Sequence, residues 1–198
     1  MYQGDVKSKF FEDTTAGTTA NVVAAGTTSA PTILVTSFGT NTARQLSVTT
    51  AGAGDGTKTV TITGEDVNGD DLTEVITLPA SATTTNGSEY FLNISTIVGS
   101  ATFAANVSVG ITDSVGGVIF AGRTRVRQMQ VNSGGTAGNV EVKDGSLTGT
   151  TGITVRTTAT AEDNTTINIP QDGVLFKTGA FIVFDQANCH AATVYFDG

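Results

Sequence analysis

The chain has no tryptophan, one cysteine (Cys189), one histidine (His190) and three prolines in 198 residues, and each scarcity removes a class of chemistry. A single cysteine cannot close an internal disulfide, so stability has to come from packing and from any oligomer the chain enters. One histidine directly after one cysteine is too small a set for a zinc site. Neighbours on a strand point to opposite faces, which also separates Cys189 from His190 as nucleophile and base. There is no Gly-x-Ser-x-Gly elbow, no phosphate-binding loop and no dinucleotide fingerprint. Two carboxylates such as Glu65 and Glu74 have the chemistry of glycoside hydrolysis, but the aromatic platforms that usually accompany it lack tryptophan altogether. The expectation is a protein that is not an enzyme and needs no cofactor.

Charge is also scarce, at 14%, and unbalanced: 18 Asp and Glu against 10 Lys and Arg give a net charge of −8 and a pI near 4.4. Binding to nucleic acid requires clustered Lys and Arg that displace counterions from phosphates, and anionic membrane surfaces repel such a chain. The one basic cluster, Arg123-Thr-Arg-Val-Arg127, alternates in strand fashion and lines one face, as a solvated strand does. No apolar run is long enough to span a bilayer, and MYQGDVKSKFFEDTT lacks the apolar centre of a signal peptide. Neither nucleic acid nor membrane is expected as a partner.

What the chain does have is threonine, 37 residues, and glycine, 24. Threonine is β-branched and fits a pleated surface, while Gly, Asn and Asp supply turns. No segment carries a sustained 3.6-residue apolar period, so the fold class is all-β. Residues 1–42, with the near low-complexity run Thr14 to Thr32, are too poor in large apolar groups to repay their ordering entropy alone. They read as an extended N-terminal arm. Strand-like segments recur from 43 onward, interrupted at Gly116-Gly117. This pattern predicts two tandem small antiparallel β domains of the sandwich or barrel type, 43–117 and 118–198. Phe10-Phe11 has no core around it in the sequence and reads as an anchor for a partner subunit. In Ala180–Gln186, Phe181 and Val183 share one face and Ile182 and Phe184 the other, so that strand is buried on both sides, in a core or at a subunit interface.

The most legible segment is Thr57 to Leu78, in which two alternating runs flank Asp66-Val67-Asn68-Gly69-Asp70-Asp71. A three-residue loop at Asn68-Gly69-Asp70 pairs Val60 with Leu78 and Ile62 with Ile76, leaving Thr61, Thr63 and Glu65 on the other face. Such a loop needs a positive φ, which Asn or Gly accepts. A calcium loop of the EF-hand type needs Gly at its sixth position and Glu at its twelfth. Here Gly is fourth and the twelfth residue is Thr77. The turn is the better reading, with a weak Ca²⁺ site from Asp66, Asp70 and Asp71 as the alternative.

Val60 to Pro79, followed by Ser88 to Gly110, resembles a hairpin-and-strand segment recurrent in virion proteins of tailed bacteriophages. Val126 to Gly145, Ile167 to Phe184 and the ending Ala192 to Gly198 resemble a second recurrent phage module. The ending departs from its pattern, having Asp197 where an aromatic residue is expected before the last glycine. The resemblance implies a small virion structural protein, first a capsid decoration (cement) protein on the outer shell. Its partners would be the major capsid protein or other virion proteins, and it would form a homo-oligomer, with a trimer favoured. Phe10, Phe11, Arg123, Arg125 and Arg127 are the candidate contacts. A tail or neck component is the first alternative, and a glycan-binding adhesin module, which an exposed Tyr90 or Tyr195 would favour, is the second.

Overall fold

The computed structural model describes residues 5–170 and 172–198. Among them there is no helix. The fifteen strands are β1 (Val6–Glu12), β2 (Thr18–Gly26), β3 (Arg44–Thr50), β4 (Thr59–Glu65), β5 (Asp71–Thr77), β6 (Thr83–Phe91), β7 (Asn93–Gly99), β8 (Val107–Phe120), β9 (Thr124–Ser133), β10 (Asn139–Asp144), β11 (Thr151–Arg156), β12 (Asn164–Asn168), β13 (Val174–Phe176), β14 (Ala180–Asp185) and β15 (Cys189–Asp197). The all-β expectation from threonine content and period-two patterning therefore describes the fold.

The strands fall into two compact units, and the division runs through β8, between Ser114 and Val115. This lies close to the expected break at Gly116-Gly117. The N-terminal segment differs from the expectation. Rather than an arm over 1–42, whose first four residues lie outside the described ones, the chain makes strands in both units. The segment through Thr15 belongs with Val115–Gly198, and Ala16 onward belongs with the unit that ends at Ser114.

In the unit Ala16–Ser114, β5, β4 and β7 form a three-stranded sheet in that order, while β3 lies between β8 and β6, and β2 pairs with β8. Their inward residues form one apolar cluster that includes Val22, Leu46, Ile62, Leu78, Phe91 and Ile97. The low-complexity run is ordered because Val22 and Val23 enter this cluster, with 0% and 3% of their surface exposed. A small neighbour makes that approach feasible. A Cβ on Gly110 of β8 would lie 1.8 Å from the Thr18 carbonyl oxygen, so only glycine lets β2 lie this close.

In the other unit β1, β15, β9 and β12 form a sheet in that order, with β13 also on β9. β1 pairs with β15 over seven consecutive residues, from Val6 opposite Asp197 to Glu12 opposite Ala191. Phe11 points inward and is fully buried, as are Met129, Val131, Val194 and Phe176 within 2% exposure. β14, flanked by β10 and β8, buries Phe181, Ile182 and Phe184, so its two apolar faces serve the interior of the chain.

Candidate functional site

The hairpin of β4 and β5 turns through Val67-Asn68-Gly69. Asp66 N–H donates to the Asp70 carbonyl at 2.9 Å and Gly69 N–H to the Asp66 carbonyl at 3.1 Å, with Gly69 at φ +80°. The loop has the expected length and positive-φ glycine, but it begins one residue earlier. Val60 therefore faces Ile76 rather than Leu78, and Ile62 faces Glu74 rather than Ile76. The two-residue slip preserves which face each side chain takes. The Asp66 carboxylate is used by the turn: Oδ1 accepts from Asn68 N–H (2.7 Å) and Asp70 N–H (3.0 Å), and Oδ2 from Asn68 Nδ2 (3.1 Å). Among the described residues no group of three or more His, Cys, Asp or Glu is placed to hold a metal.

The register places Glu65 and Glu74 on opposite faces of the three-stranded sheet. Glu65 lies outward beside Asn93, whose Nδ2 donates to its Oε2 at 3.1 Å. Glu74 turns inward, is 8% exposed, and accepts from the backbone N–H and hydroxyl of Ser88. They cannot flank one glycosidic bond.

With Glu74 inside, the outward face of this sheet is a grid of threonine and valine. Val75, Thr61 and Val98 lie in one row across the three strands, and Thr73, Thr63 and Thr96 in the next. Thr77 and Thr59 begin a third row. The Thr63 and Thr96 hydroxyls are 2.6 Å apart. Val75 and Val98 are 58% and 49% exposed. No ionisable side chain interrupts these rows; Glu65 and Asp71 are paired beyond them, at the hairpin end.

Several carboxylates clasp loops, a role the sequence did not reveal. Asp55 is fully buried. It accepts from the backbone N–H groups of Ala104 (2.8 Å) and Ala105 (3.0 Å) and from Lys58 Nζ (2.7 Å). Those bonds, led by the Ala104 N–H, hold its carboxyl down at about 2. Asp144 likewise accepts from Thr178 N–H and Oγ1, each at 2.8 Å, and lies below its ordinary value, chiefly through the Thr178 N–H.

The five residues singled out as contacts are separated by the fold. Phe11 is inside its own unit, which removes it as a partner anchor; its neighbour Phe10, on the opposite face of β1, is 38% exposed. Arg123 precedes β9, whereas Arg125 and Arg127 lie within it. Arg127 is committed to Asp197, with Nε and Nη2 at 2.7 and 2.6 Å from Oδ2. Arg125 Nη1 reaches the carbonyls of Asp172 and Gly173 at 3.4 Å each. Arg123 and Arg125 line a shallow depression of about 280 Å³ with Leu175 and Asp197. Cys189 is buried, and burial pushes its thiol up to about 12. His190 points away to Glu162, Nδ1 to Oε1 at 2.9 Å. Tyr90 is 2% exposed and bonded to the Ser114 hydroxyl, while Tyr195 lies on the outward side of β15. In the unit Ala16–Ser114 an apolar recess of about 220 Å³ is lined by Val23, Pro31, Leu34, Ile97 and Phe103 among others.

Comparison with models of protein families, with curated proteins and with solved structures found no match.

Proposed function

We propose that this chain is a non-enzymatic structural protein of a tailed-bacteriophage virion, a decoration protein that binds the outer shell and stabilises the head by adding buried interface. The observation that carries the reading is the uncharged block of rows on the outward face of β5-β4-β7, away from the hairpin end, with Val75 and Val98 open on either side of Thr61. On a chain of net charge −8, a patch without carboxylates is one on which another protein surface can close without desolvating charge. The resemblance of Val60–Gly110 and of the segments from Val126 to Gly198 to recurrent virion modules points the same way. The partners are the major capsid protein and further copies of the chain, with a trimer matched to threefold positions. Of the three clustered arginines, Arg123 and Arg125 remain for acidic neighbours.

Three strands and three rows span only about 10 Å by 13 Å, well short of the roughly 800 Å² that each partner buries in a standard interface. A single contact of this kind is weak. A shell that presents many sites to one oligomer raises the effective affinity without any new contact. Co-sedimentation with heads lacking the protein tests the face: the native chain binds, and the Val75→Lys, Val98→Lys double variant binds at least about tenfold more weakly. Equal binding by the variant would remove this face from the account. No binding by the native chain would remove the decoration reading.

A further inference from the structure

The outward face of β1-β15-β9-β12 carries a different chemistry. Its middle row, read across the four strands, is Phe10, Thr193, Gln130 and Thr166. The row toward one end is Glu12, Ala191, Asn132 and Asn164, and the row toward the other is Ser8, Tyr195, Gln128 and Asn168. The intervening residues, among them Phe11, Val131 and Val194, are buried on the opposite side. Five of the chain's 17 Asn and Gln residues thus occupy twelve positions, where an even spread would place about one. Glu12 at one corner is the single ionisable carboxylate or base among them. A depression of about 120 Å³ lies between Phe10 and the side chains of Gln130, Asn132 and Asn164.

We propose that this face is a binding site for a neutral oligosaccharide. Each amide offers two donors and an acceptor oxygen with two lone pairs, which matches vicinal hydroxyls that both give and take hydrogen bonds. The amides are occupied by one another and by Glu162, which takes Asn164 Nδ2 on its backbone carbonyl at 3.3 Å and the Asn132 side chain on its carboxylate. Asn132 Nδ2 donates to Asn164 Oδ1 at 3.3 Å and Tyr195 OH to Gln130 Oε1 at 3.5 Å, lengths at which exchange for a ligand hydroxyl costs little. With no tryptophan in the chain, the apolar C–H face of a sugar falls to Phe10 and Tyr195, which lie on β1 and β15, both to one side of the amide strand β9.

The dimensions agree with the chemistry. Four strands about 4.8 Å apart and three rows about 6.7 Å apart make a platform of roughly 14 Å by 13 Å, room for about two or three sugar rings. Acidic polysaccharides are disfavoured by the charge of −8; the twelve positions include no basic group with which to hold a phosphate, and Arg127, next to Gln128, is paired with Asp197. A flat, solvent-open platform of this size gives weak affinity per site, near the millimolar range. Avidity on a multimeric particle strengthens it. The inference stands independently of the shell-binding role, since it uses other strands and other residues.

The test applies the full-length chain to an array of neutral and acidic oligosaccharides, followed by NMR titration of the best binder with the side-chain amides resolved. At least one neutral glycan binds, the Gln128, Gln130 and Asn132 amide signals shift, and Gln130→Ala and Tyr195→Ala each weaken binding about tenfold. Both positions face solvent, and circular dichroism of each variant verifies that the fold is intact. Absence of any neutral ligand, binding restricted to acidic glycans, or undiminished binding by the two folded variants would overturn the proposal.

Discussion

Away from its hairpin end, the outward positions of β5-β4-β7 are threonine and valine; on β1-β15-β9-β12 five of the twelve described are asparagine or glutamine, with Phe10 and Tyr195 beside them. Both faces follow from the same alternation, which gives every second residue to the core. Threonine is stiff at χ1 and places a methyl and a hydroxyl at fixed positions, so little entropy is lost when another protein surface closes over it. Asparagine and glutamine have more torsional freedom and more hydrogen-bonding capacity, which suits a small polar ligand that must be matched group by group. The inward sets hold the fold, and the difference between the outward sets is the ground on which different kinds of partner are proposed for them.

The largest expected effect contrasts the two sides of one strand. Phe11→Ala, which empties a fully buried site, destabilises by about 3–5 kcal/mol, whereas Phe10→Ala on the outward side costs about 1 kcal/mol or less. Denaturant unfolding of both variants checks this, and equal losses would mean that β1 does not divide its faces as described.

The next effect concerns the clasp at Asp55. Its carboxyl is depressed from 3.8 to about 2, so its contribution is present above the unfolded value, near pH 4, and is lost as pH falls through about 2. Melting temperature is therefore expected to decline between pH 4 and pH 2. Asp55→Asn lowers it at pH 7 and flattens that decline; an unchanged acid slope in the variant would show that another group controls it. The smallest effect lies on the threonine face. A double-mutant cycle on Thr63 and Thr96, whose hydroxyls touch, gives a coupling of about 0.2–1 kcal/mol. A value of zero would make the hydroxyl contact incidental.

Much of this was written locally. Thr59-Val-Thr-Ile-Thr63 gives a strand with its threonines on one side, and Gln128-Met-Gln-Val-Asn132 places three amides on one face with apolar residues between. What stayed hidden depends on distant partners. The hairpin register could not be read from apolar pairing because Glu74 takes an inward position opposite Ile62, and the Ser88 groups that bond its Oε1 lie fourteen residues further on. β1 reads as a tail because its partner β15 is at the far end of the chain. The arginine alternation was real, but a bulge at Arg127, where Tyr195 faces Gln128 and Phe196 faces Val126, sets Arg127 beside Asp197 and out of the contact set. Asp55 sits in a glycine-rich loop whose composition says turn and nothing of the N–H groups it will meet.

The most direct test of the central claim is the copy number of this protein in purified virions, measured by quantitative mass spectrometry against the major capsid protein. Decoration predicts a ratio between about one-third and one, as threefold or per-subunit occupancy requires. A ratio of only a few copies per particle would place the protein in the tail or neck instead, and its absence from particles would contradict the virion reading altogether.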